Sequence, residues 1–193
     1  MNENSRSLRL KEATRDTHDR LDKRIMAEDI FSSQAQFARF LRVQYRFHRD
    51  VDALYTKPEL APLLPELDAR RRLAQVTQDL HDLDTPLPAE APGKLDNSTA
   101  LPEALGWLYV AEGSNIGGTV LYKLASSKLG LNAEHGARHL AAHPDGAARH
   151  WREFTRALDE IALSEAEEAR VFAAANQGFD TVHGYVKDEF AKG

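Results

Sequence analysis

Apolar residues recur along this chain at spacings of three and four, the stripe of an α-helix, and no segment alternates as a strand would. From Ser7 to Met26 the stripe runs Leu10, Ala13, Thr14, Thr17, His18, Leu21, Ile25 and predicts a first helix. Ser32 or Ser33 can cap a second, with Phe37, Leu41, Gln44, His48, Val51 and Tyr55 facing inward. Pro58, Pro62 and Pro65 then break the chain, and Leu67, Leu73, Val76, Leu80 and Leu83 supply the apolar face of a third helix. Asp84 to Ser98, with three prolines and a glycine, reads as a loop. A long fourth helix is expected over Pro102 to Leu129, followed by an irregular stretch from Gly130 to Gly146. Helices over Ala148 to Ala162 and Ser164 to Phe190 close the chain, the last opened by Ser164 and Glu167 at capping-box spacing. With no internal repeat and no linker, the expectation is a single all-α bundle domain over residues 1–193.

Composition narrows the class without choosing a chemistry. The 193 residues suffice for one domain with a substantial core. Hydrophobic residues at 42% and charged residues at 28% describe an ordinary globular chain. A formal charge of -5 gives no general attraction to nucleic acid or anionic lipid. No apolar run approaches the roughly 18 to 20 residues that span a bilayer, and the polar start MNENSRSLRLKEATRD lacks a signal-peptide core. A cytoplasmic protein is therefore expected, with a monomer as the plain default. Without cysteine there is no disulfide framework, thiolate nucleophile or cysteine metal site.

The most informative segment is LGWLYVAEGSNIGGTVLYKL, Leu105 to Leu124. Its apolar flanks demand a helix, yet Gly113, Gly117 and Gly118 sit in the middle. Each glycine costs about 1 kcal/mol against alanine there, so the three together cost about 3 kcal/mol. Gly113 and Gly117 share a face and bare the backbone on it, which lets something large and flat approach and lets the helix kink. Close packing against another helix is the alternative use of such a face.

His18 lies on the core side of the first helix, with Asp22 one turn further on to orient an imidazole ligand. Lys11 lies two turns back on nearly the same face, roughly 10 Å away by helix rise. A lone histidine on an apolar stripe is also a common hydrogen-bonded core residue, and a lysine a common surface charge. Gln44 and His48 are polar residues in an apolar stripe, open to either a structural or a chemical role. His135, His139 and His143 recur every four residues without an acidic partner and read as loop and helix-end residues.

Several segments together carry a resemblance. WLYVAEGSNIGGTVLYK is similar to the distal-helix signature of bacterial haem oxygenases, and LKEATRDTHDRLD resembles the segment bearing their proximal histidine. FLRVQYRFHRDVDALY, VTQDL and HGARHLAAHPDGAARHW resemble the haem-acquisition subgroup, so the likeness covers nearly the whole chain in order. It implies a haem oxygenase-like bundle with haem held between a proximal N-terminal helix and a glycine-kinked distal helix. It implies that His18 is the axial iron ligand, that Gly113 and Gly117 lay backbone over the haem, and that Lys11 and Tyr109 bind its propionates. Ser114 stands where animal-type enzymes carry a water-ordering aspartate, so that aspartate's part does not transfer to it. Gln44 and His48 match the positions through which the bacterial water network runs.

The implied reaction uses O2 to oxidise the edge of the porphyrin itself, making haem both cofactor and substrate and releasing biliverdin, carbon monoxide and iron. Electrons must come from outside (a ferredoxin, flavodoxin or reductase), because no flavin or nicotinamide motif is present. Propionates held by Lys11 and Tyr109 imply alpha-meso cleavage. A haem-carrying module on the same fold remains the rival reading. A carboxylate-bridged di-metal bundle would need Glu-x-x-His motifs that are not in the chain.

Overall fold

In the computed structural model, which describes residues 5–191, the predicted stripes become seven α-helices and three short 3₁₀ turns, with no strand among those residues. The helices are α1 (Arg6–Ala13), α2 (Arg15–Ala27), α3 (Gln34–Val51), α4 (Leu73–Asp82), α5 (Leu101–Leu129), α6 (Ala147–Glu160) and α7 (Glu165–Ala191). Local chemistry sets their ends. Ser33 accepts a hydrogen bond from Gln36 N to open α3. Ser164 and Glu167 exchange side-chain and backbone bonds of 2.8 and 3.2 Å ahead of α7. Gly130, at φ 71°, closes α5 in the left-handed conformation that glycine takes without strain.

Two expected helices are corrected. The first is broken at Thr14, where φ is -108° and ψ is 2°. The Thr14 hydroxyl donates to Leu10 O at 2.7 Å, back-bonding that competes with the helical ladder and bends it. The third does not start at Leu67: that residue opens a 3₁₀ turn, Leu67–Arg70, and α4 begins at Leu73. The cause is the fully buried Arg70, whose guanidinium reaches inward to Glu112 Oε2 at 2.8 Å and to His150 O. The expected bend in the fourth helix is not a break, for α5 is continuously helical through its glycines.

Two apolar cores form. One joins α1, α5, α6 and α7 through Leu10, Leu105, Leu108, Phe154, Val171 and Val186; the other joins α3 and α4 to the far half of α5 through Phe37, Phe40, Leu41, Val76 and Leu80. The α5–α7 contact is close because it is built on glycine. A Cβ on Gly106 would lie 2.4 Å from Val171 O, and one on Gly178 3.2 Å from Val110 Cγ2. A cleft opens where the two cores meet.

Candidate functional site

The cleft has a volume of about 480 Å³ and is mainly apolar. Its size falls in the ordinary range for small-ligand sites. One wall is α1 and α2, presenting Lys11, Thr14, His18 and Leu21; the facing wall is α5 from Tyr109 to Leu121; α3 and the 3₁₀ turn Arg138–Leu140 close the back. The structure brings Lys11, His18, Gln44, His48, Tyr109, Gly113, Ser114 and Gly117 together on this one surface. A wider, shallow groove of about 900 Å³ runs between α3 and α7, but its charges pair with each other, as Arg46 does with Asp188 at 3.1 Å.

His18 is half exposed into the cleft; its Nε2 lies 3.4 Å from Asp22 Oδ2, and its ring packs 5.2 Å from that of Phe179. An imidazole held by a carboxylate at one nitrogen can offer the other to a metal. The bend at Thr14 lies between His18 and Lys11, so the two residues sit on separate helices. Tyr109 is buried against Trp151, ring centroids 5.4 Å apart, and burial raises its pKa.

The glycines divide by what surrounds them. A Cβ on Gly117 would meet nothing within 4 Å, and one on Gly113 would meet only the Trp151 ring at 3.5 Å. These two therefore do not serve helix packing, unlike Gly106 and Gly178. Ser114 turns its hydroxyl back to Ala111 O at 2.6 Å, which commits its proton to the helix backbone.

The back of the cleft is polar and buried. His48 is 3% exposed, and burial, helped by the neighbouring His139 and Arg72, pushes its pKa down to about 3. The reading of His139 as a loop residue is incomplete: it sits on the 3₁₀ turn Arg138–Leu140, is 3% exposed, and its Nδ1 lies 2.8 Å from Asp79 Oδ2. Arg72 donates to the backbone oxygen of His139. His135 pairs with Asn132 in a turn, and His143 stacks on His150 with centroids 4.3 Å apart, so the three-histidine series does not converge. Sequence reasoning also missed Arg70 and Glu112; Tyr55, expected to face inward, donates its hydroxyl to Glu112 Oε1 at 2.8 Å. Nothing periodic marks Arg70 or Glu112.

Fold and cleft define an all-α protein with a mainly apolar cleft between a histidine-bearing helix and a bare helix backbone. The family model for heme oxygenase matches residues 4–188. Heme oxygenase PigA of Pseudomonas aeruginosa is 38% identical over 98% of this chain and 95% of its own length. The NO- and CO-bound heme oxygenase structure from Neisseria meningitidis superposes with a TM-score of 0.90 at 39% identity, covering 97% of this chain and 93% of that one. Heme oxygenase-1 of the cyanobacterium Synechocystis, solved in complex with heme, shares the fold at a TM-score of 0.75 and 17% identity, over 95% of this chain and 91% of that one. The chain belongs to the haem oxygenase family, enzymes that degrade haem with O2 and a reductant. Among the described residues no helix is long and apolar enough to cross a membrane.

The residues present fit that ligand. Open space above Gly117 admits a flat ring, the half-exposed imidazole of His18 stands on the facing wall, and Lys11 and Tyr109 add a cation and a phenol on the same surface.

Proposed function

We propose that this chain, as one domain over residues 1–193, cleaves haem to biliverdin, carbon monoxide and free iron, serving iron release. Haem is both substrate and cofactor: when bound, it supplies the iron that activates O2 and the porphyrin edge that is oxidised. The observation that carries the reading is the pairing of His18 with the open backbone of Gly113 and Gly117 in one cleft.

The protein's own part is to hold and to exclude. His18 would hold the iron, with Asp22 steadying its ring. Lys11 and Tyr109 meet the propionate carboxylates by charge and hydrogen bond, and fixing them selects the alpha-meso edge. Backbone at Gly113 and Gly117 would face the bound ring and offers no acidic side chain there. Gln44 and His48 hold water at the cleft's inner end, and the neutral imidazole of His48 keeps that water from acting as a strong acid. Ser114 contributes helix geometry, its hydroxyl being spent on Ala111 O. Electrons come from an external ferredoxin, flavodoxin or reductase, with no flavin or nicotinamide bound by this chain. The protein works as a cytoplasmic monomer.

The test is to add haem to purified protein, supply reductant in air with catalase present, and follow the visible spectrum. Loss of the Soret band with rising biliverdin absorption is the expected result. A haem complex that persists with a competent reductase identifies a carrier instead, and failure to bind haem removes both readings.

A further inference from the structure

The break at Thr14 puts Lys11 and His18, the proposed propionate and iron contacts, on two separately anchored pieces of helix. α1, which carries Lys11, is fastened to the end of α6. Arg6 donates to the backbone oxygens of Leu158 and Ile161, and Ser7 donates to Asp159 from its backbone N at 2.7 Å and from its hydroxyl at 2.9 Å. α2, which carries His18, is fastened to the middle of α7. There Arg20 pairs with Asp180, and the His18 ring packs 5.2 Å from that of Phe179. Across the break the backbone keeps a bond from His18 N to Thr14 O at 2.9 Å. The carbonyl of Ala13, at the end of α1, is among those that a helix end leaves without an intrahelical partner.

One side chain of α7 spans this joint. Asn176 Nδ2 donates to Ala13 O at 3.1 Å, and Asn176 Oδ1 accepts from the Thr17 hydroxyl at 2.5 Å. It thus grips the last residue of α1 and the first turn of α2 at once. Its nitrogen also donates to Phe172 O, one turn back on α7, at 3.1 Å. Two carbonyl acceptors at one end fix which end of the amide is the nitrogen. The Thr17 hydroxyl lies 3.0 Å from Thr14 O as well, so the grip reaches the residue at the break itself. Asparagine is a poorer helix former than alanine, because its amide competes for nearby backbone. In the middle of α7 that amide is turned on a neighbouring element instead.

We infer that Asn176 is a positioning residue: it locks the joint between α1 and α2 and thereby holds Lys11 and His18 at one spacing. It lines the groove between α3 and α7 rather than the cleft, and acts through Ala13 and Thr17. A ligand held at two points takes a single seat only while those points keep their distance. With the joint unlocked, Lys11 follows α6 and His18 follows α7.

The purpose of the lock rests on the haem-cleaving reading, but the lock itself is measured without haem. The chain has no native cysteine, so Leu8→Cys and Lys23→Cys, exposed positions on α1 and α2, take one pair of spin labels. The two sites lie roughly 20 Å apart by helix rise. Pulsed electron resonance on the haem-free protein should give a narrow distance distribution. Asn176→Leu keeps the bulk, removes the grip on both sides of the joint and should broaden that distribution. Thr17→Val should broaden it less, Thr17→Ser should restore it, and this pair carries the test if Asn176→Leu fails to fold. Loaded with haem, Asn176→Leu should keep a histidine-ligated spectrum, bind haem about tenfold more weakly and release a mixture of biliverdin isomers. A role confined to stabilising α7 would lower the melting temperature and leave label distance and isomer unchanged, which overturns the inference. A broadened distribution with wild-type haem affinity and a wild-type product overturns the positioning role. A wild-type protein that binds no haem defeats the haem-cleaving reading, while the label distances still decide whether Asn176 locks the joint.

Discussion

Single side chains in this protein do work that their residue type alone does not announce. His18 is one of eight histidines, and what distinguishes it is exposure into an apolar cleft with a carboxylate one turn away. His18→Ala should abolish the histidine-ligated haem spectrum and reduce turnover to background; retention of both, with no added ligand, would remove the axial assignment. Arg70 shows the opposite economy, being wholly buried and held by Glu112, the Pro65 carbonyl and the His150 carbonyl. Arg70→Met should destabilise the fold by about 3 kcal/mol in denaturant titration, because it strands a buried carboxylate. Adding Glu112→Gln to that variant should recover part of the loss, since the stranded charge is then gone.

At the scale of the helix, α5 uses identical residues for two purposes, and substitution separates them. Gly106→Ala forces a Cβ to 2.4 Å from Val171 O, and should lower the melting temperature through overpacking of about 2 kcal/mol. Gly117→Ala meets open space, so the haem-free protein should be as stable or about 1 kcal/mol more so. Its haem affinity should nevertheless fall, because the added methyl enters the cleft proposed to take the ring; melting curves and haem titration on the same two variants decide the matter. The long helices were legible in the sequence because their apolar stripes repeat every turn, and the glycine segment because it broke that pattern at a calculable cost. The bend at Thr14 was not, since a threonine hydroxyl that turns back on Leu10 looks the same in sequence as one that does not. Nor were Arg70 with Glu112, or Asp79 with His139: these pairings join residues 42 and 60 positions apart and leave no periodic trace.

At the scale of the molecule, several imidazoles are kept neutral inside the fold. Burial pushes His48 down to about 3, and burial with the Arg70 charge pushes His150 down to about 4. The unfolded chain takes up protons near 6.5, where the folded chain refuses them, so stability present above that pH is lost as pH falls toward 3 to 4. For His48 alone the loss should reach about 2 kcal/mol at pH 5. His48→Phe should therefore flatten the dependence of unfolding free energy on pH between 7 and 5. The same scale governs assembly in time. Thr17 and Arg20, which bracket His18, are fastened to Asn176 and Asp180 of α7, and the imidazole itself rests on Phe179. A ribosome makes His18 early and its support last, so a nascent chain emerging through α6 still lacks the helix that seats it. In a chain halted before α7, His18 would therefore stand without the residues that seat it.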